Sequence, residues 1–345
     1  MTIGLLIILA MIFILPFVFH PIERNLEYFL LAMGVCATLI SRTLSLQLML
    51  EIFENYNLYF ITIAVLVAGI IFRVSIDKIR LIVNKITTKI PLSVFIFIII
   101  VFLGLISSLI TAIIAALVLV EIVSALSLTR EKKIKLTIIA CFSIGLGATL
   151  TPIGEPLATI VVSALDADFL YLLRSVGAYI IPCVIALGIF GGLYIGRLSK
   201  KEKQSDVELV SVSSGKEDLK EDLIRAFKIF LFIIALELLG SGFKPLINTY
   251  VIHFDSRLLY WINMCSAVLD NATLAAAEIS PAMSLKQIQA ILMGLLISGG
   301  MLIPGNIPNI ISAGKLNIKS REWAKFGAPI GAVLLAIYFV IIFVF

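Results

Sequence analysis

The chain has 345 residues, 61% of them hydrophobic and only 14% charged, with a mean hydropathy of +1.12. Soluble domains carry roughly a quarter charged residues, so this composition excludes an ordinary soluble protein and gives a polytopic membrane protein. The net charge of +5 belongs to loop topology in such a chain and is no footprint for nucleic acid.

Apolar blocks follow one another at 2–19, 26–40, 58–72, 92–128, 134–165, 169–195, 223–240, 257–280, 285–313 and 323–345. A bilayer crossing needs about 20 apolar residues, so the blocks at 92–128 and 134–165 are each too long for one simple span. The first block lacks a basic leader and a small-x-small cleavage site, and reads as a retained span. The chain divides into N-terminal accessory helices (1–57), a first unit (58–195), a polar, charged cytoplasmic linker (196–222) and a second unit (223–345).

Lys and Arg decide the topology. Segments 20–25, 73–91, 129–135, 196–222 and 314–322 hold nineteen of them, whereas 41–57, 166–168, 241–256 and 281–285 hold two. The positive-inside rule puts the first group in the cytoplasm and the second outside, with both termini outside the cell membrane. Residues 92–128 then begin and end inside, and 257–284 begin and end outside. Each is expected to be a re-entrant hairpin, turning near Ile106–Ala112 and Ser266–Asn271; two short complete spans joined at Ser107 and Ser108 are the alternative for the first. The expected fold class is all-α and polytopic, with about eight transmembrane helices plus two re-entrant hairpins.

Each unit has a span, a hairpin, a broken helix (134–165 and 285–313) and a final span. Three full crossings per unit is an odd number, so the second copy is expected to be inverted relative to the first. The sequence carries traces of that repeat: Glu121-Ile-x-x-Ala125-x-Ser127-Leu128 matches Glu278-Ile-x-x-Ala282-x-Ser284-Leu285. Thr151-Pro152-Ile153-Gly154-Glu155-Pro156 and Ile303-Pro304-Gly305-Asn306-Ile307-Pro308 share Pro-x-x-x-Pro at an offset of 152. Proline removes a backbone donor and clashes with the preceding turn, so each motif breaks its helix within the membrane. Matched breaks in two halves of one chain point to a transporter's binding site.

Polar residues at the tips and breaks are the candidate ion and proton ligands. They are Ser107, Ser108 and Thr111 at the first tip, Thr149, Thr151 and Glu155 at the first break, Asp270, Asn271 and Thr273 at the second tip, and Asn306 and Asn309 at the second break. Pro152, Gly154, Pro156, Pro304, Gly305 and Pro308 shape the breaks. Hydroxyl, amide and carboxylate oxygens suit a hard cation such as sodium. A central carboxylate costs about 2.5–3.5 kcal/mol on insertion scales, which marks Glu155 and Asp270 as functional or paired. No Lys or Arg falls at either tip or break. The alternatives are structural: Glu155 as a cap for the break's amides, and Asp270-Asn271 as a turn. Glu121, Glu278 and Glu237 are weaker candidates, and Trp261 and Trp323 read as interface anchors. Cys36, Cys141, Cys183 and Cys265 show no CxxC spacing and read as inert core residues. With no HExxH or P-loop, an enzyme is not expected.

Asp270-Asn271-Ala272-Thr273 at a hairpin tip, with Thr151–Pro156 and Pro304-Gly305-Asn306-Ile307-Pro308-Asn309 in broken helices, resembles the ion transporter superfamily. That superfamily includes D-type sodium/proton antiporters, arsenite permeases and divalent-anion symporters. The nearest resemblance is to a poorly characterised prokaryotic family of proposed cation transporters within it, over roughly residues 58–345. It implies that the tips and breaks form the ion and substrate sites. The first tip departs from the symporters' Ser-Asn-Thr, and Glu155 stands where relatives often have Asn. The expected function is a secondary active sodium/proton antiporter working by alternating access. The alternatives are a cation-coupled carboxylate or oxyanion transporter and a non-transporting membrane sensor or assembly subunit. The expected partners are small inorganic ions and the lipid bilayer, with no nucleic acid and a homodimer left open. No cofactor is expected beyond sodium and protons as transported or coupling ions.

Overall fold

The computed structural model describes residues 1–19, 21–22, 25–56, 58–59, 62–63, 66–67, 70, 90–201, 219–250, 253–267 and 271–344. Asp270, most of the expected span at 58–72, the basic segment at 73–91 and most of the linker lie outside the described residues.

Every regular element among the described residues is helical, as a membrane interior demands: a helix satisfies its own backbone where no water can. The N-terminal part holds α1 (Thr2–Val18), α2 (Leu26–Ser41) and α3 (Leu46–Glu54). The third lies in a stretch expected to be loop. Ser45 caps it by accepting from the Leu48 amide, and its Ile52 is buried.

The first half continues through α4 (Leu92–Ile110), α5 (Ala112–Ala125), α6 (Arg130–Ala148), α7 (Pro156–Ala164) and α8 (Tyr171–Lys201). The second half has α9 (Leu219–Thr249), α10 (Ser256–Ile262) running into a 3-10 turn (Asn263–Ala267), and α11 (Asn271–Glu278). It ends with α12 (Leu285–Gly299), a 3-10 turn (Ile303–Gly305), α13 (Ile307–Lys315) and α14 (Ser320–Phe343).

Among the described residues, four helical stretches are long and apolar enough to cross a membrane: Leu92–Ile110, Tyr171–Gly196, Ala226–Leu246 and Ser320–Phe343. Between them sit α6 and α12, buried along nearly their whole length. Helices apolar on every face belong inside a bundle, and these two form its centre. Around them the packing is reciprocal. Helix α5 of the first half lies on α13 of the second, and α11 of the second lies on α7 of the first. Helix α2 packs along α9, where Gly34 and Gly242 allow close approach: a Cβ on Gly242 would lie 2.7 Å from that of Ala37.

Two expectations about single residues are corrected. Trp323 is fully buried and donates its indole N–H to the Gly300 carbonyl (3.2 Å), so it is a core residue and not an interface anchor. Cys141 and Cys183 are core residues as expected, but Cys36 and Cys265 lie exposed on the helix surface.

Candidate functional site

The same contact joins hairpin arm to broken helix in both halves. In the first, Ser107 Oγ lies 3.1 Å from the Ile144 carbonyl; in the second, Ser266 Oγ lies 3.1 Å from the Leu295 carbonyl. The pairs are related by 159 residues along the arm (107 to 266) and 151 along the helix (144 to 295). One turn on, a Cβ on Gly147 would lie 1.8 Å from the Gly104 carbonyl. At the equivalent place the Ser298 hydroxyl donates to the Asn263 carbonyl (2.8 Å). Small residues on both helices let each arm approach its broken helix at backbone distance.

In the first hairpin the turn is Thr111, with φ 76° and ψ 147°, close to a region that glycine alone visits freely. Helix α5 starts at the next residue, Ala112. A β-branched residue in that conformation costs of order 1–3 kcal/mol, held by its surroundings. Here the surroundings are the first break. The Ala112 amide donates to the Gly154 carbonyl (2.7 Å), and the Thr151 hydroxyl donates to the Ser108 carbonyl.

In the first break, α6 stops at Ala148 and Pro156 begins α7 at its N1 position, where its missing N–H is no loss. A Cβ on Gly154 would lie 1.9 Å from the Ala148 carbonyl, so only glycine fits this return of the chain. The Thr159 hydroxyl covers the Pro152 carbonyl (2.6 Å). Glu155 is 4% exposed, and the Thr149 hydroxyl faces both its Oε1 and the Gly145 carbonyl. Its side chain makes no N-cap bond to the first turn of α7.

The second break repeats this backbone. A Cβ on Gly305 would lie 2.6 Å from the Gly299 carbonyl, and Asn306 has φ −155°, ψ 146° against −157°, 160° at Glu155. The structural offset is therefore 151, so Glu155 is equivalent to Asn306. The Pro-x-x-x-Pro motif, at 152, is out of step by one residue because Pro156 sits at N1 and Pro308 at N2.

Asn309 donates to the Gly299 and Leu302 carbonyls (both 2.8 Å). Asn306 reaches the other half: its Nδ2 would lie 2.2 Å from a Cβ on Gly145, the residue whose carbonyl faces Thr149. Glu155 and Thr149 of the first half thus meet Asn306 of the second around Gly145. Three side-chain atoms here are buried with no hydrogen-bond partner among the described residues: Asn306 Oδ1, Asn309 Oδ1 and Asn271 Nδ2. Asn271 lies beside Gly299, where a Cβ would be 3.6 Å from Nδ2.

Of the expected ligands, Thr149, Glu155, Asn271, Asn306 and Asn309 converge at the breaks, and Ser108, Thr111 and Thr151 fasten the first tip to the first break. Ser107 joins arm to helix. Asp270 and the Thr273 side chain lie outside the described residues. Sequence reasoning missed Asn263, Ser266 and Ser298, of which only Ser266 has a polar counterpart, Ser107, in the first half.

One family pattern matches the chain from residue 2 to residue 345. The chain belongs to the family described as "Protein of unknown function (DUF1646)". No curated protein matches it.

Proposed function

We propose that the chain is a secondary active transporter, a monovalent cation/proton antiporter with sodium as the expected ion. The observation that carries this reading is the pair of carboxamide oxygens of Asn306 and Asn309, buried with no partner among the described residues, in the same core as the Glu155 carboxylate. Leaving a buried acceptor unsatisfied costs about 1–3 kcal/mol, and a desolvated hard cation would supply the missing partner. The carboxylate takes either the cation or a proton, so binding one expels the other and couples their movements. Thr149 would hold Glu155 in either state. Asp270, by sequence the neighbour of Asn271, is proposed as the second titrating group.

Alternating access needs two halves that move around a shared site. The recurring contacts, equivalent N-caps and reciprocal packing of α5 on α13 and α11 on α7 support an inverted repeat. They fit the re-entrant reading of 92–128 and 257–284 and the cytoplasmic assignment of the basic segments. Helix α5, with 14 residues, spans about 21 Å, short of a full crossing. Cation-coupled uptake of a small carboxylate is the second reading, favoured by Asn271 Nδ2, a buried donor near Gly299 with no partner among the described residues.

Reconstitution into liposomes loaded with a pH-sensitive dye tests the proposal. Sodium, lithium or potassium pulses are expected to drive proton movement, lost in Glu155→Gln and Asp270→Asn. Anion uptake independent of cations and intact in both variants would overturn it.

A further inference from the structure

We propose that a crevice away from the breaks, between α1, α9 and the second hairpin, binds a hydrophobic monocation. The crevice encloses about 660 Å³, a volume within the range of small-molecule sites. Leu6 of α1, Phe243 and Leu246 of α9, Ile262 of α10 and Leu274 of α11 supply apolar walls. Glu278, at the end of α11, is the one carboxyl group of the lining; Thr2, Tyr250 and Cys265 complete its polar part.

The carboxylate is held on one side only. Asn263, fully buried, donates to Glu278 Oε2 (2.7 Å) and to the Leu259 carbonyl (2.9 Å), which fixes its amide. Glu278 Oε1 receives no hydrogen bond, and no Lys, Arg or His pairs with the group, among the described residues. A carboxylate in an apolar cleft is costly unless a positive partner arrives.

The first half shows what such a partner looks like when the protein supplies it. Glu121, the counterpart of Glu278 in the repeated Glu-Ile-x-x-Ala-x-Ser-Leu motif, interacts electrostatically with Lys315, the last residue of α13. The equivalent last residue of α7 is Ala164. The second half thus keeps the carboxylate of the motif but has no lysine at that helix end. An organic cation with a hydrophobic body matches the crevice: its body displaces lipid or water from the walls, and its charge pairs with Glu278. A small inorganic cation would gain nothing from the walls, and a neutral lipid nothing from Glu278.

The inference stands apart from the proposed antiport, because it concerns binding at a different place. Equilibrium binding of radiolabelled tetraphenylphosphonium to the full-length protein in detergent tests it. Saturable binding at one site per chain is expected, weakened at least tenfold in Glu278→Gln and unchanged in Glu155→Gln. Dodecylammonium should compete and dodecanol should not. Leu274→Trp, which fills the crevice and leaves the carboxylate in place, should also weaken binding, and it serves if Glu278→Gln does not fold. Equal affinity in wild type and Glu278→Gln, equal competition by the neutral alcohol, or no saturable binding to folded wild-type protein would overturn the proposal.

Discussion

The two breaks have the same backbone and different chemistry. Each ends a buried helix, returns the chain under a glycine pressed against a carbonyl six residues earlier, and starts a nine-residue helix from an extended N-cap residue. At that N-cap the first break places Glu155 and the second Asn306, neither used to cap its own helix. Backbone shape here is set by proline and glycine, which act locally and survive in both copies. The N-cap side chain differs between the two, a carboxylate at the first break and a neutral amide at the second.

The largest effect should come from removing that asymmetry. Glu155→Gln is expected to abolish cation-driven proton flux in proteoliposomes, at least a hundredfold below wild type, with the protein still folded by gel filtration. Flux within twofold of wild type would show that the charge difference between the breaks carries no function.

Glycine substitutions test the shared backbone. In Gly154→Ala the new Cβ meets a carbonyl at 1.9 Å, while in Gly305→Ala the nearest contacts are 2.6 Å. Overpacking of this kind costs about 1–3 kcal/mol and more where backbone must shift, so about 4 and about 2 kcal/mol are expected. Thermal unfolding in detergent measures both, and a reversed order would contradict the geometry.

Two asparagines separate structure from binding. Asn309→Ala leaves the Gly299 and Leu302 carbonyls unsatisfied and should cost about 3 kcal/mol. Asn306→Ala removes an oxygen with no partner among the described residues, so its stability cost should stay below about 1 kcal/mol. Its apparent sodium affinity, read from the concentration dependence of flux, should fall about tenfold, equivalent to about 1.4 kcal/mol. A stability loss at Asn306 matching that at Asn309 would make it a structural residue.

The smallest effect is expected at Thr111. Thr111→Gly relieves the positive φ and loses a long 3.4 Å contact from the Ile114 amide, for a net gain of about 1 kcal/mol in thermal unfolding. Destabilisation instead would mean that the turn depends on the threonine side chain more than on its backbone.

Much of the site was readable from residue types alone. Prolines at 152, 156, 304 and 308 announce two interruptions in apolar helices, because ring geometry does not depend on distant neighbours. The turn at Thr111 falls inside the expected window Ile106–Ala112. Ser266, Ser298 and Asn263 escaped notice because a serine or asparagine in an apolar segment says nothing until its partner's carbonyl is known. Trp323 was misplaced for a related reason: an indole near a helix start suits a bilayer surface or a buried carbonyl equally well, and only the neighbouring Gly300 decides. The short helix α3 was hidden by its nine-residue length, and packing of Ile52 against the bundle makes it visible.

The sequence by itself determined the membrane class, the placement of the two breaks and the residue types gathered there, since hydropathy, proline and glycine act through the solvent and the local backbone. Tertiary structure decided the register. It equated Glu155 with Asn306, brought Asn306 to Gly145, and left two carboxamide oxygens buried with no partner among the described residues. Those outcomes depend on how two broken helices from distant parts of the chain pack, and side-chain patterns along one strand of sequence carry no information about the distance between them.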